Sequence, residues 1–536
     1  VSSQQIDAEA GRGRWFGLAV LSLGVSVIIV DATVVNVALP TIIRDLGLGT
    51  TQAEWINSVY PLVFAALLLT FGRVGDLIGR RRTFLIGLTI FAVASVLAAV
   101  AQSGAALIAA RLLQGVGGAA ILPSTLSSVN ALFRGRDRAI AFGVWGSVIG
   151  GMAALGPLLG GWLVTDVSWR WIFLINIPIG LLCAVGALRF VPENKDEHAQ
   201  RGFDLPGVWW STLGLGFLIF GLIEGQHYGW WSTSEAWSVG AVSVGVGGIS
   251  PVPFAFLVGS LGLAAFALTE VSRSRAGKPS LIDFSLFRIR RFGLGNATAL
   301  LVSLGEFGIL FVLPLFLQTV LEYSALKTGV VIAALAAGSF VAGPAAAYFA
   351  QRYGGRRVVT TGMAFEAVGI SAFALSVSAS VSEAAIAVIL FVYGIGVGLA
   401  TAQLTSVILI DVPTAQSGQA SGLQSTSRQL GSALGIAMLG TVLALGLGSN
   451  ARAELKGADV AQPAVERTAT AFEDSLGTSL IGVRQQPTAS AQVTALENAY
   501  VDAVRRTGLV AAGFIVLGLL MSLALPPGKP GGEPAS

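Results

Sequence analysis

Cysteine occurs once in these 536 residues, at Cys183, and histidine twice, at His198 and His227. A single thiol makes no intrachain disulfide and no cysteine-based metal centre, and two histidines far apart in polar gaps offer no ligand spacing, so no metal site and no cofactor are expected. Charge is scarce as well. Only 12% of the residues are Asp, Glu, Lys or Arg, whereas 54% are hydrophobic and the mean hydropathy is +0.76. A soluble domain has no means of burying so much apolar surface behind so little polar covering, which leaves the bilayer as solvent. Catalytic signatures are missing: there is no Gly-x-x-x-x-Gly-Lys-Ser/Thr, no His-Glu-x-x-His and no Gly-x-Ser-x-Gly, so neither an ATPase nor an intramembrane enzyme is expected and no catalytic residue is assigned. The net charge of +4 is explained by arginine-rich loops facing anionic membrane lipids, so no nucleic-acid partner is expected.

What the chain has instead is long apolar runs. A bilayer core about 30 Å thick takes roughly 20 helical residues to cross. Runs of that order lie at 15–38, 55–73, 84–102, 105–130, 139–164, 171–190, 206–225, 247–269, 292–318, 326–350, 357–378, 383–410, 420–447 and 507–525. The fold class expected is an all-α membrane protein with about 14 transmembrane helices, because the runs far exceed the roughly 9 to 11 residues of a barrel strand and lack its alternation. The first run follows a short polar start, Val1 to Arg14, and is too long for a signal-peptide core, so it reads as a retained span.

Basic residues cluster in alternate gaps. Arg73, Arg80, Arg81 and Arg82 follow the second span, Arg134, Arg136 and Arg138 the fourth, and Lys195 and Arg201 the sixth. Arg273, Arg275, Lys278, Arg288, Arg290 and Arg291 follow the eighth, and Arg352, Arg356 and Arg357 the tenth. The positive-inside rule makes these gaps cytoplasmic, with both termini inside a bacterial-type inner membrane. The last odd gap, 448–506, is long, polar and mixed in charge, and reads as an external loop that also holds Arg505 and Arg506. Single cysteines at Ser211 or Ser285 should then be hidden from impermeant thiol reagents in intact cells, and one at Ser449 should react.

Two gaps echo each other. The second reads Gly72-Arg-Val-Gly-Asp76-Leu-Ile-Gly79-Arg80-Arg81-Arg82, and the tenth reads Gln351-Arg352-Tyr353-Gly354-Gly355-Arg356-Arg357. Glycines permit a tight turn between helix ends, Asp76 can accept hydrogen bonds or face a helix N-terminus, and the arginines can anchor at headgroups. The first of these stretches resembles the signature between the second and third helices of the major facilitator superfamily. Three further motifs follow that family's order. Asp31-Ala-Thr-Val-Val-Asn36-Val-Ala-Leu-Pro40 is similar to the first-helix motif of drug:proton antiporters, and Arg111-Leu-Leu-Gln114-Gly115 to the membrane-embedded arginine motif. Gly150-Gly-Met-Ala-Ala-Leu-Gly156-Pro157-Leu-Leu-Gly160-Gly161 resembles the antiporter motif. With about 14 spans the chain most resembles the fourteen-span drug:proton antiporter family.

That resemblance implies two six-helix bundles separated by two extra helices. The division would be a cytoplasmic tail at 1–14, a first bundle at 15–190, and a linker region with two extra helices at 191–291. A second bundle at 292–525 would include the external loop at about 448–506, and 526–536 would be a second cytoplasmic tail.

An ionised side chain at the centre of a membrane helix costs at least ~2.5–3.5 kcal/mol, so intramembrane charge is functional or paired. Asp31 and Arg111 sit at similar depth in one half-bundle and can meet, and a carboxyl whose protonation responds to a neighbouring cation is what a proton site requires. The alternative is a purely structural ion pair. Glu306 near mid-span in the ninth run is the third coupling candidate, because substrate and ion sites in such folds lie near the midplane. Glu366 and Glu224 are further acids. The second reads as an interfacial anchor beside Gly229-Trp230-Trp231, an aromatic-belt pattern. Asn36, Asn57, Tyr60, Gln114, Asn296, Gln424 and Arg428 are polar points that, with Glu306, can line a substrate cavity or glue helices together. Gly72, Asp76, Gly79, Arg80 and Arg81 form the candidate gate. Gly156 and Gly160 form a small-xxx-small face beside Pro157 and Gly161, readable as a hinge between bundles or as plain packing. Asp204 and Asp411, each two residues before a proline, read as helix caps.

The function implied is proton-coupled export of amphipathic or cationic drugs by alternating access, performed by a monomer whose partners are substrate, protons and lipid. A narrow exporter of an endogenous antibiotic or a lipid is the alternative, and an intramembrane enzyme a distant one.

Overall fold

Helix follows helix along this chain because in lipid every backbone N–H and C=O must find its partner within its own segment. The structure, a computed structural model, describes residues 3–48, 50–195, 202–233, 236–239, 242–413, 416–458, 460–486 and 490–526. His198 lies outside the described residues, as do the side chains of Asn36, Pro157 and His227.

The first group comprises α1 (Ser3–Leu46), α2 (Thr50–Ile78), α3 (Arg80–Ala99), α4 (Gly104–Leu132), α5 (Gly135–Asp166), and α6 (Trp171–Leu174) continued by α7 (Asn176–Phe190). Two helices follow, α8 (Leu205–Tyr228) and α9 (Pro251–Arg275), joined through a small hairpin of β1 (Trp237–Val239) and β2 (Val242–Val244). The last group holds α10 (Arg290–Thr319), α11 (Ala325–Tyr353), α12 (Gly355–Ser376), α13 (Glu383–Leu409), α14 (Ser417–Gly457) and α17 (Ser490–Leu523), with α15 (Gln462–Asp474) and α16 (Leu480–Arg484) between the last two. Thirteen segments among the described residues are long and apolar enough to cross a membrane. The 32-residue α5, several of whose side chains lie outside the described set, holds the apolar run 139–164.

Within the first group α4 packs on α2 and α3, and α1 on α5 and α7; within the last, α13 packs on α11 and α12, and α14 on α10 and α17. The groups meet through α5 against α11 and α13, and through α14 against α2 and α4. The α8–α9 pair lies outside both, against α2 and α14. The echo in the sequence is an echo in the backbone. Gly79 (φ 111°) ends α2 and Gly354 (φ 86°) ends α11 in the same left-handed conformation, which glycine alone adopts without strain.

Three expectations change. Residues 448–506 are not an open loop but a helical cap, in which Arg452 bridges Glu466 and Glu473 at 3.0 and 3.2 Å and Arg484 pairs with Glu322 at 3.0 Å. Part of its mixed charge, which read as loop composition, is taken up in these pairs, while Phe472 and Tyr500 are buried against each other. Of the two tryptophans read as an aromatic belt, Trp230 packs inward, stacking on Phe256 and donating to Thr441 Oγ1 at 3.2 Å so that it ties α8–α9 to α14, and Trp231 is exposed. Ser211 is buried inside α8 and carries no accessibility information, whereas Ser285 and Ser449 are exposed.

Candidate functional site

Five helices of the first group converge on one carboxylate. Asp31 in α1 and Arg111 in α4 form a salt bridge with both side chains at 1% exposure or less. The Asp31 Oδ1 atom also accepts from Gln114 Nε2 at 3.0 Å and from Asn176 Nδ2 in α7 at 2.8 Å. Both amides donate to Ser95 Oγ in α3, at 3.0 and 3.2 Å, and the Arg111 guanidinium donates to Gln114 Oε1 at 2.9 Å while lying 4.4 Å from the ring centre of Tyr60 in α2. The meeting of Asp31 and Arg111 read from the sequence is therefore present, and the pair is fully enclosed by neutral donors and acceptors. Asn176 and Ser95 were missed. The signal for Asn176 was available, an amide inside the apolar run Phe173-Leu-Ile-Asn176-Ile, but Ser95 had none, since a serine in a helix so often bonds its own backbone.

At the end of the bundle where the α2–α3, α4–α5 and α11–α12 turns lie, the two groups are clasped. Asp76, fully buried, accepts from the backbone N–H groups of Gly418 and Gln419 at 3.0 Å each, in the first turn of α14, and from Arg80 Nη2 at 3.1 Å. A carboxylate at a helix N-terminus satisfies donors that have no intrahelical partner and meets the positive end of the helix dipole. The contact depends on small residues: a Cβ on Gly72 would lie 2.6 Å from Gly418 O, and one on Gly418 only 2.3 Å from Asp76 Oδ1. Asn130 in α4 adds a donor to Ser417 Oγ at 2.9 Å, and Arg138 in α5 one to Ser406 O at 3.1 Å.

The arginines of this turn do not share the headgroup role read from the sequence. Arg80 is buried with Asp76, and Arg81 lies 3.8 Å from Glu193, whose carboxylate accepts the N–H groups of Arg81 and Arg82 and so caps α3. Only Arg82, 68% exposed, reaches outward.

In the second group Glu306 in α10 sits 3.7 Å from Arg428 in α14. Glu366 in α12 and Tyr393 in α13 are buried beside them. Gln424 is buried and reaches Thr405 at 3.4 Å, Asn296 bonds back to Phe292 O at 2.8 Å, and Asn57 is exposed.

The small-xxx-small face of α5 acts within one group rather than between groups. A Cβ on Gly156 would overlap Thr33 and one on Gly160 would press on Val34, so both glycines admit α1, while Gly161 faces open space. The close crossing between groups is made instead where Gly143 of α5 meets Gly343 of α11, a Cβ on the former falling 2.6 Å from the carbonyl oxygen of the latter. Asp204 does cap α8, accepting from Gly207 N at 2.9 Å, and pairs with Arg273 at 3.1 Å. Among the described residues Asp411 caps no helix: its two oxygens accept from Arg291 Nη1 at 3.0 and 2.9 Å. Glu224 is buried in α8. At the opposite end of the first group the Trp169 indole and the Arg170 guanidinium hold the carboxyl of Asp45 below the usual carboxylate range, so what this contact contributes is present above the unfolded carboxyl's pKa and lost as pH falls.

Two helical groups, one centred on a buried ion pair and the other on a partly exposed one, clasped together at one end, define a membrane transporter. The description Major Facilitator Superfamily matches residues 21–436, and the chain belongs to that family. It is 34% identical over 429 residues to the multidrug efflux pump LfrA of Mycolicibacterium smegmatis, covering 80% of each chain. It is 33% identical over 446 residues to the multidrug resistance protein Stp of Mycobacterium tuberculosis, covering 83% of this chain and 79% of Stp. The tetracenomycin C resistance and export protein of Streptomyces glaucescens is 32% identical over 438 residues, 82% of this chain and 77% of that one. Two solved structures share the fold at low identity. The human organic anion transporter MFSD10 has a TM-score of 0.59 and 14% identity over 95% of this chain and 99% of that one. The proton:xylose symporter XylE has a TM-score of 0.57 and 13% identity over 97% and 98%. The protein is a multi-pass membrane transporter and not an enzyme.

Proposed function

We propose that this transporter is a proton-coupled exporter of amphipathic or cationic compounds, working as a monomer by alternating access. The observation that carries the reading is the enclosed Asp31–Arg111 pair: two ionised groups in hydrocarbon are retained where protonation of one changes what the other must find as partner. The similarity to multidrug and antibiotic export proteins supports export over uptake. Protons falling inward supply about 2.3 kcal/mol per charge per 100 mV, enough to drive a steep substrate gradient. In this reading Asp31 and Arg111 couple protons in the first bundle, Glu306 supplies charge in the second, and the Asp76 clasp closes the cytoplasmic gate of an outward-open or occluded state. A test is ethidium efflux from an efflux-deficient bacterial host. Expression should accelerate efflux, and an ionophore that collapses the pH gradient should abolish the acceleration; efflux that persists after collapse rules the coupling out. A panel of drugs in the same host separates a broad exporter from one serving a single antibiotic or lipid.

Orientation is part of the proposal, with both termini cytoplasmic. In a Cys183→Ser background, a cysteine at the exposed Ser285 should resist an impermeant maleimide in intact cells and one at the exposed Ser449 should react. Labelling at Ser285 from outside inverts the topology.

Glu306 near the midplane offers attraction that a neutral compound has no charge to use. Glu306→Gln should therefore weaken export of cations by about tenfold and leave neutral substrates within about twofold, on the scale of ~1.4 kcal/mol per decade. Equal loss for all substrates would show that Glu306 couples protons without selecting charge.

A further inference from the structure

The ion pairs of the two bundles differ in charge balance. Around Asp31 there is one acid, one base and a set of neutral donors, every carboxylate oxygen being occupied. The cluster in the second bundle has two acids, Glu306 and Glu366, for one base, Arg428. Glu366 has no exposed surface, and neither of its oxygens has a hydrogen-bond partner; Glu306 Oε2 and the Tyr393 hydroxyl beside them have none either. Gly396 of α13 lets the backbone of α12 approach closely at this point, since a Cβ there would lie 2.5 Å from Glu366 N and 2.8 Å from Glu366 Cγ. Side-chain exposure falls from 17% at Arg428 to 8% at Glu306 and to nothing at Glu366, so the cluster is reached from the Arg428 side. The charged and titratable groups acting on Glu366 are Glu306 from α10, Arg428 from α14 and Tyr393 from α13; α11 and α17, also packed on α12, add none.

We infer that Glu366 is a proton-binding site, sharing with Glu306 the one proton that neutralises this cluster and releasing it when a cationic substrate arrives. The inference deepens the proposed antiport and rests on it. A second ionised carboxylate facing a single guanidinium in this interior is disfavoured, so the resting cluster is neutral with two carboxyls, one proton and one guanidinium. A monovalent cation entering beside Glu306 supplies the missing positive charge. The O–H bond of the protonated carboxyl then breaks, its electron pair stays on oxygen, and the proton leaves through Glu306 towards the Arg428 side. Two carboxylates now face two cations, and the cluster is neutral again. One proton is exchanged for one cation, while a neutral substrate displaces none.

The test is binding of tetraphenylphosphonium to the purified protein in detergent across mildly acidic to mildly alkaline pH. For the wild type the Kd should rise towards about tenfold per pH unit on the acid side, the limit for one proton exchanged per cation bound. Glu366→Gln should flatten that slope to less than about twofold per unit, and Glu366→Asp should restore it. In the wild type, difference infrared spectra should show a protonated carboxyl's C=O stretch disappearing on cation binding, a readout that does not depend on any variant folding. A Glu366→Gln protein that keeps the full slope, or a wild type without the infrared change, overturns the assignment while gradient-driven transport would still support the exporter. Absence of gradient-driven transport in the wild type is a separate result and would remove the exporter reading itself.

Discussion

Asp31→Asn is expected to abolish uphill export while leaving the protein in the membrane. The amide keeps an oxygen for Arg111 Nη1 and the shape of the side chain, but its NH2 group takes the place of the oxygen that accepts from Gln114 and Asn176, so those two side-chain amides must turn their own oxygens towards it for the site to stay paired. What is lost is the charge. A guanidinium left facing a neutral partner in this interior is out of balance by about 3–5 kcal/mol, which corresponds to two or more decades in any equilibrium that depends on the pair closing. The measurement is a comparison of two assays on the same proteoliposomes. Accumulation against a gradient should fall by at least about a hundredfold, and downhill counterflow of labelled substrate should stay within a few-fold of wild type. Loss of both would show that the pair is only structural, and retention of uphill transport would remove Asp31 from the coupling machinery.

The second large effect belongs to the clasp. Asp76 holds two backbone donors of α14 and the Arg80 guanidinium at once, so Asp76→Asn weakens every one of these contacts and removes the negative charge that faces them. A shift of about 1–3 kcal/mol in a bistable balance changes populations roughly five- to 150-fold. Transport should slow by that order while substrate affinity in detergent changes only a few-fold. Accessibility separates this from damage at the binding site. A cysteine placed at Ser421, buried one turn beyond the clasp, should be inert to maleimide in a Cys183→Ser protein and should become reactive when Asp76→Asn is added. Affinity lost in proportion to transport, with Ser421→Cys still inert, would mean that the turn supports the substrate site.

The helices were legible because lipid leaves so few options: apolar length, basic clusters and two Gly/Arg turns are features of the local sequence, and each has one inexpensive structural reading. Asp31 and Arg111 were legible for a related reason, since a charge inside an apolar run must be paired or used, and Asp76 because its turn offers a carboxyl to a helix N-terminus. What failed was pairing at a distance. Nothing near Arg80 says that it stays with Asp76 while Arg82 goes outward. Nothing near Gly156 says that its neighbour is Thr33 rather than the other bundle, because a small residue records close approach and not what approaches. The stretch 448–506 misled for the opposite reason: its charges of both signs look like solvent-exposed loop until Arg452 and Arg484 are seen gathering them. Glu366 stood out only as an acid in a span, and its importance comes from being the second carboxyl beside one guanidinium, a count that needs three helices brought together.

The central claim is that protons and substrate move in opposite directions through one obligatory cycle. Purified protein in proteoliposomes with an internal pH dye tests it directly, using tetraphenylphosphonium as substrate and an imposed pH gradient as sole driving force. The cation should accumulate only on the acidic side, its accumulation should vanish when nigericin collapses the gradient, and a cation gradient alone should drive protons the other way. Cation movement that ignores the pH gradient, with no reciprocal proton flux, would contradict the account.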